Sequence, residues 1–191
     1  MRARSPKKHA ARPWPEVGCQ HVPRVATVLA VSTRVFSQQA DLVAELPKLL
    51  AHARRFFAAE IDVLSASPPD RPDSLQARVT LQFEGHRYPC RGAFRIESRK
   101  ATAEDRFAAE AAEARGRAGG MSLLAARCPA IWDIEPEAEV TDTAELQLSA
   151  LLASVALGPV MPSDQSTLYG VRGAMERAEK AYQDLNSRLE R

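Results

Sequence analysis

LQARVTLQFEGHRYPCRGAFRIE, residues 75–97, decides how this chain folds. Leu75, Ala77, Val79, Leu81 and Phe83 alternate with Gln76, Arg78, Thr80, Gln82 and Glu84. Successive strand side chains point to opposite faces, so this pattern predicts a strand with one buried and one wet face. Further on, Tyr88, Cys90, Gly92, Phe94 and Ile96 alternate with Arg87, Arg91, Arg95 and Glu97. A two-residue turn at Glu84-Gly85 pairs Leu81 with Tyr88, Val79 with Cys90 and Leu75 with Phe94, and gathers every apolar residue on one face. The same pairing sets Arg78 opposite Arg91. The expectation is an antiparallel hairpin, apolar on one side and rich in arginine on the other.

Elements follow on either side of the hairpin. Residues 24–36 contain Val25, Ala26, Thr27, Val28, Leu29, Ala30 and Val31, a run suited to a central strand. Leu42, Leu46, Leu49, Leu50, Ala53, Phe56 and Phe57 recur at helical spacing to about residue 58, with Pro47 expected to kink or restart the helix. Ile61 to Ser65 reads as a strand closed by the turn-rich residues 67–73. Thr102 and Asp105 form a capping-box pattern. The helix it opens keeps one apolar phase through Phe107, Ala111, Ala114, Ala118, Met121 and Ala125, and its glycines weaken it or split it near Gly119-Gly120. A short strand from Ala130 to Glu135 carries Trp132. An almost wholly apolar helix spans Thr141 to Leu157 and stops at Gly158-Pro159.

The order βαβββαβαα predicts an α+β fold: a mostly antiparallel sheet with helices packed on one face and a helical C-terminus. The chain divides into a flexible basic arm (1–20), an α+β domain (21–160) and a C-terminal amphipathic helix (161–191).

The 191 residues carry 26 basic and 24 acidic side chains. This balance excludes polybasic tail proteins and acidic disordered chains. The distribution is uneven. Residues 1–59 hold 10 basic and 3 acidic side chains, whereas residues 128–162 hold 6 acidic and none basic. Three cysteines at long spacings, Cys19, Cys90 and Cys128, point to a reducing compartment rather than a disulfide framework. No clean signal-peptide region follows the basic N-terminus, and no apolar stretch reaches the ~20 residues of a spanning helix. A cytoplasmic protein that makes no membrane contact is expected.

Arg87, Arg91, Arg95 and Arg99 are four apart, so on a strand they share a face, with neighbours ~13 Å apart at ~3.3 Å per residue. Arg78 joins them from the partner strand. Guanidinium groups in a row suit phosphates or carboxylates, because each donates two parallel hydrogen bonds. A solvated face is the plainer reading, as is cover by the acidic block Asp133, Glu135, Glu137, Glu139, Asp142 and Glu145. That block matches no calcium loop.

Leu168, Val171, Met175, Tyr182, Leu185 and Leu189, with Ala178 between them, repeat at three and four residues. They form a seam for docking on the chain's own domain or in a partner's groove. Cys19 with His21, His86 with Cys90, and Cys128 lack a Cys-x-x-Cys knuckle, so neither metal nor cofactor is expected. No nucleophile elbow, Walker loop, Gly-x-Gly-x-x-Gly or His-Glu-x-x-His occurs.

The order αβββαβ over residues 39–136 resembles the core of restriction-endonuclease-like nucleases. That resemblance implies a carboxylate near Asp70 or Asp73 and an acidic-x-lysine on the next strand. Glu97-Ser98-Arg99-Lys100 sets Lys100 one residue out of phase with this pattern. The run αβββα also resembles double-stranded-RNA-binding domains, in which basic residues open the second helix as Arg99 and Lys100 do here.

Taken together, these features predict a non-catalytic interaction protein, an adaptor or accessory subunit that meets another protein or a second copy of itself. One alternative is a nucleic-acid-binding protein that contacts the phosphate backbone through Arg78, Arg87, Arg91, Arg95 and Arg99 with help from the basic arm. Another is a degenerate restriction-endonuclease-like nuclease.

Overall fold

The computed structural model describes residues 32–67, 74–83, 90–117, 119–137 and 140–190. Strands β1 (Thr33–Ser37), β2 (Ala59–Ser67), β3 (Ser74–Phe83), β4 (Arg91–Lys100), β5 (Ala130–Pro136) and β6 (Val160–Met161) form one antiparallel sheet. Their order is β2-β3-β4-β5-β1-β6. The helices are α1 (Leu42–Phe57), α2 (Ala103–Gly116), α3 (Met121–Ala126), α4 (Asp142–Ala156) and α5 (Val171–Leu189). The class is α+β with a C-terminal helix, as the residue pattern predicts. The apolar run at 25–31, the basic arm and the Glu84-Gly85 turn lie outside the described residues.

The register of β3 on β4 differs from the expected one. Val79 faces Phe94, Leu81 faces Gly92 and Arg78 faces Arg95, a shift of four residues. An even shift leaves each side chain on its own face, so the apolar alternation is equally content with either register. Cys90 falls just before β4, where its thiol donates to the Thr143 hydroxyl at 3.3 Å.

One sheet face builds the main core. Val35, Val79, Leu81, Phe94, Ile96, Trp132 and Ile134 are buried there with Leu42, Leu49 and Ala53 of α1 and Leu148, Leu151 and Leu152 of α4. Each fully buried Leu or Ile contributes about 2 kcal/mol by leaving water. α4 is apolar nearly all round because it lies between the sheet and α5. α1 runs unbroken through Pro47, capped by the Asp41 carboxylate on the Ala44 N–H at 3.1 Å.

α1 and α4 form the expected helical layer, and α5 packs on the outer side of α4. α2 and α3 add a partial second one on the opposite face. Ala109, Ala112, Ala125 and Cys128 pack there on Phe36, Ile131, Met161 and Leu168, at the β5-β1-β6 end. The two helices separate at Gly119-Gly120, and the Glu113 carboxylate accepts the Met121 N–H at 2.6 Å to cap α3.

The buried stripe of α2 is Asp105, Ala109 and Ala112, not the expected phase through Phe107, which is 73% exposed. An ion pair at Asp105 and a close contact at Gly116 set the phase, overriding the preference of one aromatic ring. Gly116 is glycine for space: a Cβ there would lie 1.9 Å from the Thr167 hydroxyl oxygen. Among the described residues, no helix is long and apolar enough to cross a membrane.

Candidate functional site

Because α2 and α3 cover only one end of their face, the polar side of β2, β3 and β4 is left uncovered by helix among the described residues. Alternation brings Glu60 and Asp62 of β2, Arg78, Thr80 and Gln82 of β3, and Arg91, Arg95, Glu97 and Arg99 of β4 to that side. A shallow depression of about 220 Å³ lies among Glu60, Asp62, Thr80, Gln82 and Arg91.

The arginines are mostly answered by the neighbouring acidic strand. Glu135 sits directly across from Arg95 on β5 and pairs with it. The hydrogen bond and then the charge of Glu135 raise the Arg95 pKa further above its usual range. Arg78 reaches Glu137 just past the end of β5, at 2.9 Å. The Arg78–Arg95 juxtaposition is thereby tolerated, since like charges directly opposite each other are otherwise destabilising.

Arg99 anchors a four-membered cluster. Its two terminal nitrogens donate to both oxygens of Asp105 at 2.7 and 2.9 Å, and its Nε donates to Asp133 at 2.7 Å. Arg34 of β1 completes the cluster at 3.3 Å from Asp105 and 3.5 Å from Asp133. Burial alone pushes the Asp105 pKa up, but hydrogen bonds from Arg99 and Thr102 outweigh it and hold the carboxyl at about 2. The hydrogen bond to Asp105 raises Arg99 against the opposing effect of burial.

Of the five arginines expected to bind an anion, Arg78, Arg95 and Arg99 are therefore paired within the chain. Arg91 is exposed and forms no ion pair among the described residues. Arg87 lies outside them. The plain expectation that the acidic block covers the arginine face holds for Asp133, Glu135 and Glu137. Glu145 instead accepts from the Thr33 hydroxyl at 2.7 Å. The sequence reading missed Arg34 and Asp105 as cluster members. A usable signal was present at Asp133, Glu135 and Glu137, whose spacing of two puts three carboxylates on one face of a strand.

The C-terminal seam is divided. Leu168 is buried before α5 begins, Val171, Tyr182 and Leu185 are half-buried, and Met175 is 43% exposed. The side chain of Leu189 is not among those described. α5 packs on α4 mainly through Ala174 and Ala178, and the Gln147 side chain donates to the Ala178 carbonyl at 3.5 Å. Small residues let the helices approach closely, which turns Met175 outward.

Glu97 and Lys100 of the nuclease pattern are three apart on β4 and point to opposite faces, while Asp70 and Asp73 lie outside the described residues. Among the described residues, no three His, Cys, Asp or Glu side chains are grouped to hold a metal ion. Cys90 and Cys128 are buried free thiols, and burial pushes Cys128 up to about 11, far from a reactive thiolate. No family model, curated protein or solved structure matches the chain.

Proposed function

We propose that this chain is a non-catalytic interaction protein, an accessory subunit or adaptor that meets a protein partner across the open face of β2, β3 and β4. The observation that carries this reading is the incomplete second layer: among the described residues, helices cover one sheet face, and the other only at the β5-β1-β6 end. The chemistry of the open face suits a protein. Binding a phosphate backbone draws on unopposed cations. Here Glu135 and Glu137 neutralise Arg95 and Arg78, and Glu60 and Asp62 lie beside Arg91. Interfaces between proteins mix both signs in this way and use them for register and partner choice. The outer side of α5 with Met175 is the second proposed contact.

Affinity purification from the source lysate, with and without nuclease treatment, tests the reading. The expected result is a stoichiometric protein that survives nuclease. Arg91→Glu combined with Asp62→Lys should abolish its recovery, while Arg54→Glu on α1 should leave recovery intact. Circular dichroism would confirm that each variant is folded. A monomer with no stoichiometric protein partner, or recovery of nucleic acid alone, overturns the proposal.

A further inference from the structure

α2 is apolar on two opposite sides. Ala103, Phe107, Ala111 and Ala114 follow one another at four, four and three residues, opposite the buried Asp105, Ala109 and Ala112. A surface helix needs one apolar stripe to hold it to its core, and α2 meets that need through Ala109 and Ala112. The second stripe belongs to neither core cluster, and its central ring, Phe107, is 73% exposed. Leu123 of the adjoining α3 is 69% exposed. A contiguous apolar surface of this kind favours being covered.

Charge identifies what covers it. Glu104 and Arg115 are eleven residues apart, three helical turns, so they stand along one edge of the stripe. Both are exposed, and neither forms an ion pair among the described residues. The Arg115 guanidinium donates to the Gln165 carbonyl at 3.0 and 2.6 Å, which holds it at the end of α2 without neutralising it. This edge is therefore acidic where the helix starts and basic where it finishes.

A second copy running the opposite way matches that order. Equivalent edges meet in an antiparallel pair with two-fold symmetry, so Glu104 of each helix falls beside Arg115 of the other. The two helix dipoles are then opposed, with each positive end beside a negative one. The same register sets each Phe107 ring over Ala111 and Ala114 of the second copy, where short side chains leave room for it.

We propose that two copies of this chain pair through the outer face of α2, antiparallel about a two-fold axis. None of these residues lies on the open sheet face, so the pairing is independent of the protein partner proposed above. α2 has 14 residues and is about 21 Å long at 1.5 Å per residue. The interface is accordingly at the small end of specific contacts, and the pair is reversible at micromolar concentrations.

Sedimentation velocity of the full chain, from low micromolar to submillimolar concentration, tests the proposal. A monomer–dimer equilibrium weakened by sodium chloride is expected. Phe107→Ser should weaken it about tenfold or more, while Phe56→Ser, at an exposed ring on α1, should leave it unchanged. Glu104→Lys and Arg115→Glu should each weaken it several-fold. The two together should restore it, since the pairs re-form with their signs exchanged. Circular dichroism checks that each variant is folded. A chain that stays monomeric throughout, as it would if residues 1–31 or a foreign protein took this face, overturns the proposal. So does a dimer unaffected by Phe107→Ser, or a combined charge variant that pairs no better than the single ones.

Discussion

Asp105 shows how much one residue can settle. Its carboxylate accepts the Thr102 N–H at 2.9 Å to close the capping box of α2, and it also takes both terminal nitrogens of Arg99. It is 4% exposed. Its folded pKa, about 2, lies below its ordinary value of 3.8, so the ionised form is the stabilising one. The contribution is complete above the ordinary value and is lost as pH falls toward the folded one. At about 1.36 kcal/mol per unit, the shift is worth about 2 kcal/mol. Asp105→Asn is expected to cost roughly 3 kcal/mol near neutral pH, because Arg34 and Arg99 are left with Asp133 alone. Urea unfolding of parent and variant should show this deficit narrowing between about pH 4 and about pH 2. A deficit constant across that range contradicts the assignment.

At the scale of elements, the helix ends depart from common chemistry. α1, α2 and α4 finish in left-handed residues that are not glycine: Ala58 (φ 46), Arg117 (φ 54) and Leu157 (φ 55). The glycine that the sequence supplies after α4, Gly158, is needed for space. A Cβ on it would lie 1.9 Å from the Phe36 carbonyl oxygen, where the chain leaves α4 for β6 and passes β1. Two adjacent substitutions are therefore expected to act in opposite directions. Leu157→Gly should stabilise by about 1 kcal/mol by relieving a left-handed side chain. Gly158→Ala should destabilise by about 3 kcal/mol, since backbone must move to admit the methyl group. Thermal unfolding of the two single variants decides, and shifts of the same sign refute the account.

For the whole molecule, charge is distributed in space very differently from the way it is distributed along the chain. The basic leading segment and the acidic block at 128–162 meet at Arg34 and Asp133, and the block's next carboxylates neutralise the arginine strand beside it. Three carboxylates of the acidic block, Asp133, Glu135 and Glu137, are thus answered by local pairs on one sheet face. Glu135→Gln with Glu137→Gln should free Arg95 and Arg78 for a polyanion. Binding of the double variant to a short DNA duplex is then expected to steepen in log K against log salt by about two, at about 0.9 per freed cation. Fluorescence anisotropy at several salt concentrations measures the slope. A slope equal to the parent's shows that these carboxylates do not mask the arginines.

By itself, the sequence determined everything that depends on neighbours within a few residues. It carried the two faces of β3 and β4, the capping box at Thr102, the all-apolar character of α4 and the α+β class, because alternation and helical spacing record burial locally. Tertiary structure decided what depends on distant partners. The β3–β4 register moved by four because parity alone cannot distinguish even shifts. The phase of α2 followed Asp105 and Gly116, whose partners lie on β4 and in the 162–170 segment. The arginine face was legible both as a binding surface and, more plainly, as a solvated or neutralised one. Which it is rested on placing β5 beside β4, forty residues away at the Arg95–Glu135 pair, where Arg78, Arg95 and Arg99 find carboxylates that no local pattern assigns to them.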